Sequence, residues 1–267
     1  MSETSRDTYS QIQVQQAGAV LYVTLNRPEV RNAFNPRMIV ELTAVFAGLS
    51  VGGESRAVVL SGTGAAFCAG ADLTWMRDMA GYSHDENVAD ALRLVAMLEA
   101  VDTSPVPVIG RVHGAALGGG AGLVACCDIV VAATDAQFGF TEARLGLAPA
   151  TIAPLVLRKI GPGHARALFV TGERFDAQRA ERIGLVHRVA EREALDAAVA
   201  EAVANILSCG PAAIQACKQL VAALPRLSDE AVRAYTAETI AALRAAPEGQ
   251  EGMRAFLEKR RPCFVES

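Results

Sequence analysis

Residues 106–133, VPVIGRVHGAALGGGAGLVACCDIVVAA, contain the pattern that decides the fold. A strand is predicted at residues 106–112, followed by a glycine-rich turn at 114–120, a helix at 121–127 and a second apolar strand at 128–133. Two strands separated by a helix need a crossover connection and usually pair in parallel. This segment therefore predicts an α/β fold with a largely parallel sheet.

The same pattern continues on both sides of this segment. Further buried strands are predicted at residues 19–25 and 57–60, and helices at 37–49 and 86–101. From residue 151 onward the pattern is nearly all helical, with a break at Gly161-Pro162-Gly163, a helix cap at Asp176 and amphipathic segments at 194–207, 211–224 and 228–243. We expect a core domain over residues 1–200. Residues 201–267 form a helical region expected to pack on another subunit.

Composition excludes several classes of protein. The chain has 267 residues, half of them hydrophobic, and a net charge of −4, which fits one large domain and is unusual for a nucleic-acid binder. No stretch is apolar enough to span a bilayer, and the polar N-terminus lacks the apolar segment of a signal peptide. The six cysteines show no CxxC or Cys/His ligand spacing. We expect reduced cysteines, no metal site and a cytoplasmic location.

Two glycine-containing turns stand between predicted strands and helices. The first is FCAGADL at residues 67–73 and the second HGAALGGGAG at 113–122. The second lacks the acidic residue of a dinucleotide site and the lysine of a P-loop. Because helix N-termini leave backbone N–H groups unpaired, we hypothesise that those of Ala71 and Gly119 converge on one oxygen. Close packing of a helix on a strand is the alternative explanation of the glycines.

The chain resembles the enoyl-CoA hydratase/isomerase (crotonase) superfamily over nearly its whole length. The motifs that carry the resemblance are Asn26-Arg27-Pro28 with Asn32-Ala33, residues 66–73, residues 114–120, Cys127-Asp128-Ile129, Gln137-Phe138-Gly139, Glu142 with Leu145-Gly146, and residues 256–260. The resemblance implies a spiral of ββα units with a helical C-terminal trimerisation region. It also implies a homotrimer or a hexamer built as a dimer of trimers.

Roles for individual residues follow from the same resemblance. It implies that the N–H groups of Ala71 and Gly119 form an oxyanion hole for a thioester enolate. Coenzyme A would be part of the substrate, with no separate cofactor and no metal. The positions implied to contact the coenzyme are Val30, Arg31, Ala69, Ala71, Asp72, Leu73 and Thr74, together with Phe256 and Lys259, which would reach the coenzyme of a neighbouring subunit.

The resemblance also identifies a catalytic acid and a departure from the family pattern. Typical hydratases of the family carry two glutamates; Glu142 fills the second position, and Gly122 stands at the first. Apolar neighbours of Glu142 should favour its neutral form. Nearby stretches are similar to bacterial methylglutaconyl-CoA hydratases of leucine breakdown. Their substrates carry a carboxylate that, like Thr151, could position the water.

Three alternatives therefore stay open. The first is hydration of a branched or carboxylated enoyl-CoA such as 3-methylglutaconyl-CoA. The second is an enoyl-CoA isomerase that uses Glu142 as its single base. The third is a non-catalytic family member, since Gly122 leaves the site one acid short, or an RNA-binding one, and the acidic composition argues against RNA binding.

Several other polar or aromatic residues are predicted to be structural. His113 is expected to be a hydrogen-bonded structural histidine and Asp128 a structural residue, and Trp75 with Met76 to pack in the core or wall the acyl pocket. Ser61 and Ser104 lack a paired histidine and aspartate, so no hydrolase triad is predicted.

Overall fold

A computed structural model of the chain describes residues 9–265. Residues 1–8 of the polar N-terminus lie outside that range. A six-stranded sheet runs through the molecule in the order β1-β2-β3-β4-β6-β9, and a three-stranded sheet has the order β5-β7-β8. The strands are β1 (Ile12–Ala17), β2 (Val20–Leu25), β3 (Ala57–Gly62), β4 (Val108–Val112), β5 (Ala115–Leu117), β6 (Ile129–Ala133), β7 (Gln137–Gly139), β8 (Arg174–Asp176) and β9 (Arg188–Ala190).

Ten α-helices connect and cover these strands in the described part of the chain. They are α1 (Pro36–Ala47), α2 (Leu73–Met79), α3 (His84–Asp102), α4 (Gly119–Cys126), α5 (Ala153–Thr171), α6 (Ala177–Arg182), α7 (Leu195–Leu207), α8 (Pro211–Ala223), α9 (Asp229–Ala245) and α10 (Pro247–Leu257). Within residues 9–265, no single helix is long and apolar enough to cross a membrane; residues 192–207 and 211–226 would pass that test only as a bent pair.

The large sheet is buried on both faces, as its apolar strands predict. In β3, Val58 and Leu60 pack into the main core with α1 and α3, whereas Ala57 and Val59 face a second cluster under α7. This alternation follows from the two-residue period of a strand. Every strand pair of this sheet except the β1–β2 hairpin is parallel. The predicted α/β class and largely parallel pairing are therefore confirmed, and the fold is that of a crotonase-like spiral.

The sequence prediction missed five of the nine strands in residues 9–265. Strand β5 lies within the segment predicted as a glycine-rich turn, and β7 was not predicted; each has three residues. Strand β1 was not predicted because its sequence, IQVQQA, is mostly polar; it lies at the sheet edge, where outward glutamines meet solvent. The prediction of an almost wholly helical chain after residue 151 is wrong at β8 and β9. These strands have three residues each, too few for a periodic pattern, and exist because β7 and β6 provide pairing partners.

Helix ends agree well with the capping residues in the sequence. The Asp176 carboxylate accepts a hydrogen bond from the Arg179 N–H at 2.7 Å, which confirms the predicted cap of α6. Helix α4 begins at Gly119, two residues before the predicted start. In α5, Gly161 adopts φ 75° and ψ 161° and interrupts the helix at the predicted break.

The C-terminal helices differ in how they contact the core. Helix α7 packs on β3, β4 and β6, and residue 200 lies inside it, so the proposed boundary between residues 200 and 201 falls within a helix of the core. Within the described chain, α8 and α9 contain no fully buried residue. The two-region division and the packing of residues 201–267 on another subunit stay predictions.

One buried polar side chain fixes the loop between β2 and α1. The Asn32 side chain accepts a hydrogen bond from the Arg27 N–H and donates two, to the carbonyl oxygens of Thr63 and Ala66, all at 2.8 Å. Its φ of 55° lies in the left-handed region, which asparagine tolerates better than most residues. Asn32 therefore joins the loop before α1 to the loop before the first glycine turn.

Replacement of the Asn32 side chain should lower the stability of the fold. We expect Asn32→Ala to lower the free energy of unfolding by about 3 kcal/mol, because it leaves buried backbone groups without hydrogen-bond partners. Urea unfolding measures the loss. Asn87→Ala removes an exposed amide that also donates two hydrogen bonds, and should change stability by less than about 0.5 kcal/mol. Equal effects of the two substitutions would contradict the assigned role of Asn32.

Candidate active site

The first glycine turn lies directly beside the second. The Cys68 N–H donates to the carbonyl of Ala115, and the Leu117 N–H donates to the carbonyl of Cys68, both at 3.0 Å. These bonds form a parallel bridge between Cys68 and Ala116. Residues far apart in sequence are thereby held as neighbouring strands, and the two predicted donor turns lie side by side.

The backbone of the first turn leaves the Ala71 N–H without a partner. The Phe34 N–H donates to the Gly70 carbonyl at 2.7 Å, and the Asp72 N–H donates to the Phe34 carbonyl at 2.8 Å. In this parallel arrangement the intervening residue, Ala71, directs its own N–H away from Phe34. No acceptor for it is present within residues 9–265.

The second predicted donor lies at the start of a helix. Gly119 is the first residue of α4, where the N–H has no carbonyl one turn earlier to bind. Gly118 precedes it with φ 52°, a conformation that favours glycine. Across residues 9–265 the Gly119 N–H also has no acceptor. The helix dipole adds positive potential, so this end of α4 favours negative charge.

Glu142 places a carboxyl group next to this helix start. A Cβ atom on Gly118 would stand 3.1 Å from Glu142 Oε1, so only a glycine leaves the carboxyl group this space. Oε2 is buried and has no hydrogen-bond partner in the described part of the chain. Burial raises the pKa of Glu142, as its apolar neighbours predict. A carboxyl group of this kind is suited to accept and return a proton.

The raised pKa has a measurable consequence. If Glu142 acts as the base, kcat/KM should rise with pH through a midpoint above the ordinary glutamate value of about 4.5, because the charged form is required and burial disfavours it. Initial rates measured from pH 4 to 8 test this. A midpoint at or below the ordinary value would show that another group limits the reaction.

Gly122 lies one turn further along α4 than Gly118, and because it is glycine it provides no acidic side chain there. Its N–H donates to the Gly118 carbonyl at 3.0 Å, so the two glycines are one turn apart. The side chain of Ile152 packs directly on Gly122. The site therefore presents two free backbone N–H groups and one buried carboxyl group.

The predicted coenzyme-binding residues fall into two groups. The Ala69 N–H donates to the Arg31 carbonyl at 3.0 Å, which joins the loop around Val30 and Arg31 to the first glycine turn. Leu73 and Thr74 are exposed at the start of α2. The contacts of these positions with coenzyme A stay predictions.

Asp72 differs from the other predicted coenzyme contacts because its carboxylate is already engaged. It accepts hydrogen bonds from the Thr74 and Trp75 N–H groups and pairs with Arg27 at 2.8 Å. Burial alone would raise the pKa of Asp72, but these hydrogen bonds outweigh it and lower the pKa. The side chain thus caps α2, and any ligand contact would fall to other atoms of the residue.

Phe256 and Lys259 are not brought to the site within one chain. Phe256 is 83% exposed on α10, which packs against α9, and Lys259 follows that helix. The prediction that both reach the coenzyme of a neighbouring subunit concerns contacts between chains and stays a prediction.

Two residues that support the site were not singled out from the sequence. Phe34 bridges to Ala71, and its ring lies 3.3 Å from where a Cβ of Gly119 would be. Arg27 donates to the Ala33 carbonyl at 2.6 Å as well as to Asp72. Arg27 belongs to the Asn26-Arg27-Pro28 motif and Phe34 follows Asn32-Ala33, but the sequence assigned neither residue a role in the site.

The residues predicted to be structural have the expected contacts. His113 is buried, and its Nε2 lies 2.9 Å from the Gly64 carbonyl, to which it donates. Burial lowers the pKa of His113, against the smaller effect of that hydrogen bond. The Asp128 carboxylate accepts from the Val108 N–H at 2.8 Å and from Lys218 at 2.7 Å. Trp75 belongs to the main core.

Fold and site together define a class: an α/β enzyme scaffold in which two glycine turns direct backbone N–H groups beside a buried carboxylic acid. The sequence profile of the enoyl-CoA hydratase/isomerase family matches residues 15–267. The chain belongs to this family, and it is an enzyme of the enoyl-CoA hydratase type.

Individual relatives agree with this assignment over almost the whole chain. A putative enoyl-CoA hydratase of Thermus thermophilus is 37% identical over 248 residues, which cover 92% of this chain and 98% of that protein. A 2,3-dehydroadipyl-CoA hydratase of Escherichia coli is 32% identical over 258 residues, 96% of this chain and 98% of that protein. The crystal structure of an enoyl-CoA hydratase from Shewanella pealeana has a TM-score of 0.92 at 37% identity and 96% coverage of both chains.

Proposed function

We propose that this enzyme adds water across the C2–C3 double bond of a branched or carboxylated enoyl-CoA such as 3-methylglutaconyl-CoA. The observation that carries the proposal is the half-buried carboxyl group of Glu142, whose Oε2 is buried without a partner in residues 9–265, beside two free backbone N–H groups and with no side chain at Gly122. Such a site holds an enolate and moves one proton, and leaves part of the positioning of water to the substrate.

The proposed reaction balances with one protein acid. Ionised Glu142 takes a proton from water while the water oxygen bonds to C3. The C2–C3 electron pair moves into the thioester, whose oxygen becomes an enolate held by the N–H groups of Ala71 and Gly119. Protonated Glu142 then returns the proton to C2, and the enolate collapses to the 3-hydroxyacyl product. The raised pKa of Glu142 fits a group that alternates between both forms.

A carboxylate on the substrate is proposed to replace the missing second acid. An ionised oxygen near C3 can accept a hydrogen bond from the attacking water and orient it. The name of the related 2,3-dehydroadipyl-CoA hydratase denotes an acyl chain that ends in a carboxylate, which supports this substrate class here. Thr151, partly buried in the loop that follows Glu142, is a second candidate to hold the water.

Isomerisation is the second candidate function. A single carboxylate can take a proton from one carbon of the acyl chain and return it to another, with the enolate held by the same two N–H groups. The observation that favours it is the apolar packing of Ile152 on Gly122, where a second acid would otherwise help to hold water.

A substrate panel distinguishes the two functions. Crotonyl-, 3-methylcrotonyl-, 3-methylglutaconyl- and 3-enoyl-CoA are assayed for loss of the conjugated thioester absorbance, with product analysis in D₂O. We expect the highest kcat/KM for hydration of the glutaconyl thioester. Deuterium exchange without net hydration of that substrate, or a preference for moving the double bond of the 3-enoyl thioester, would overturn the proposal.

The assembly and location are part of the same proposal. We infer a homotrimer, or a dimer of trimers, as the family resemblance implies; α8 and α9, which have no fully buried residue in the described single chain, are the helices proposed to pack on another subunit. The acidic composition suits a cytoplasmic protein that binds an acyl-CoA rather than a nucleic acid or a membrane. Light scattering after gel filtration measures the mass.

A further inference from the structure

Ile152 lies so close to Gly122 that no residue with a side chain fits at position 122 without a clash. A Cβ atom added to Gly122 would lie 2.2 Å from Cγ2 of Ile152 and 2.8 Å from its Cβ. Both distances are well below van der Waals contact. Even alanine at position 122 would therefore require one of the two residues to move.

Neither residue is free to move. The Gly122 N–H bonds to the Gly118 carbonyl within the first turn of α4, and the Cys126 thiol bonds to the Gly122 carbonyl. The Ile152 carbonyl accepts the N–H groups of Leu155 and Val156 at 3.1 and 3.0 Å, which fixes it at the start of α5. Rotation about χ1 cannot remove the clash, because it leaves the Ile152 Cβ in place and that atom alone would lie 2.8 Å from the added Cβ.

This contact lies one helical turn from the catalytic candidate. Gly118 faces the Glu142 carboxyl group, and Gly122 follows it by four residues along α4. Ile152 is buried and wholly apolar, so it occupies this part of the helix surface without offering a hydrogen bond. An acidic side chain from α4 would have to pass through the space that Ile152 fills.

We propose that Ile152 is a specificity-determining residue. By closing position 122 to any side chain, it prevents α4 from supplying a second acid and makes enoyl-CoA substrates without a polar group of their own poor substrates for hydration. This inference rests on the proposed hydratase function for its catalytic part. Its steric part is independent of the substrate.

The experiment compares variants at both positions with crotonyl-CoA, whose acyl chain has no carboxylate. Ile152→Gly removes both close atoms and places a residue that is well accepted at a helix N-cap. We expect the double variant Gly122→Glu/Ile152→Gly to hydrate crotonyl-CoA about 10²-fold faster than Ile152→Gly alone, the usual lower range for an added acid or base. Gly122→Glu alone should gain nothing.

Ile152→Val is the matched control, because valine keeps Cβ and the γ-methyl contact. Gly122→Glu/Ile152→Val should therefore gain no crotonyl-CoA hydration. If Gly122→Glu by itself gains as much as the double variant, or if the folded double variant gains nothing over Ile152→Gly, the assignment of Ile152 is overturned.

A stability measurement keeps the steric part testable if an acidic variant folds poorly. Gly122→Ala should lower Tm markedly in the wild-type background and much less in the Ile152→Gly background, because only the first has the clash. Equal Tm losses in both backgrounds would overturn the proposal. The two proposals can fail separately. If the Tm difference and the crotonyl-CoA gain are both observed but the carboxylated substrates are not hydrated, the proposed function is wrong and the role of Ile152 is retained.

Discussion

Glu142→Gln should lower kcat by about 10²- to 10⁴-fold, the range that general acid–base catalysis contributes, while binding of the coenzyme A thioester is retained. Glutamine keeps the shape of the side chain but takes up no proton at neutral pH. The carboxyl group is placed at Gly118, whereas the predicted coenzyme contacts lie on the loop around Arg31 and on the first glycine turn. Chemistry and binding should therefore separate in this variant.

The measurement pairs steady-state rates with calorimetric binding of a saturated acyl-CoA. Glu193→Gln is the matched control, because Glu193 is an exposed glutamate in a short helical turn outside the site. It should leave both quantities unchanged. Full activity of Glu142→Gln would mean that Glu142 is not the proton-transferring group. Equal loss of rate and thioester binding would instead point to a disturbed site.

Gly119→Pro should lower kcat by about 10²- to 10³-fold relative to Gly119→Ala, because proline lacks the proposed oxyanion donor. The fold makes this comparison informative. Gly119 is the first residue of α4, a position at which proline is favoured and at which the lost N–H makes no helical hydrogen bond. Both variants add a Cβ atom close to the Phe34 ring, so this part of the steric cost is shared, whereas the ring carbon on nitrogen is added by proline alone.

The ratio between the two variants thus measures loss of the N–H group together with the space that the proline ring takes at the same nitrogen. Circular dichroism and Tm show whether both variants retain the fold. If folded Gly119→Pro is as active as Gly119→Ala, the oxygen of the thioester is not held by this N–H group. The thioester oxygen would then need another donor besides the Ala71 N–H group.

Much of the fold could be predicted because buried parallel strands have continuous apolar sequences. The runs that become β2, β3, β4 and β6 were located within about two residues, and their parallel pairing follows from the helices between them. Strand β1 and the three-residue strands β5, β7, β8 and β9 were not predicted, because a polar edge strand and a very short strand have no long apolar run. Their pairing partners lie elsewhere in the chain.

The candidate site could be predicted in its residue types but not in its contacts. The sequence showed two glycine turns, one glutamate at position 142 and no acid at position 122. It did not show that the Glu142 carboxyl group lies against Gly118, or that Phe34 packs between the two donor turns. Such contacts join residues separated by tens of positions, so no local pattern reports them.

The sequence by itself determined which groups the site contains. Glycines leave the backbone N–H groups accessible. With Glu142 present and a glycine at position 122, the candidate site has one catalytic acid, because side-chain chemistry is a property of residue type. Only the tertiary structure decided which of these groups meet. Pairing of Cys68 with Ala116 aligns the turns, and packing of Ile152 on Gly122 closes the helix face, because both contacts depend on how α4, α5 and the sheets pack in space.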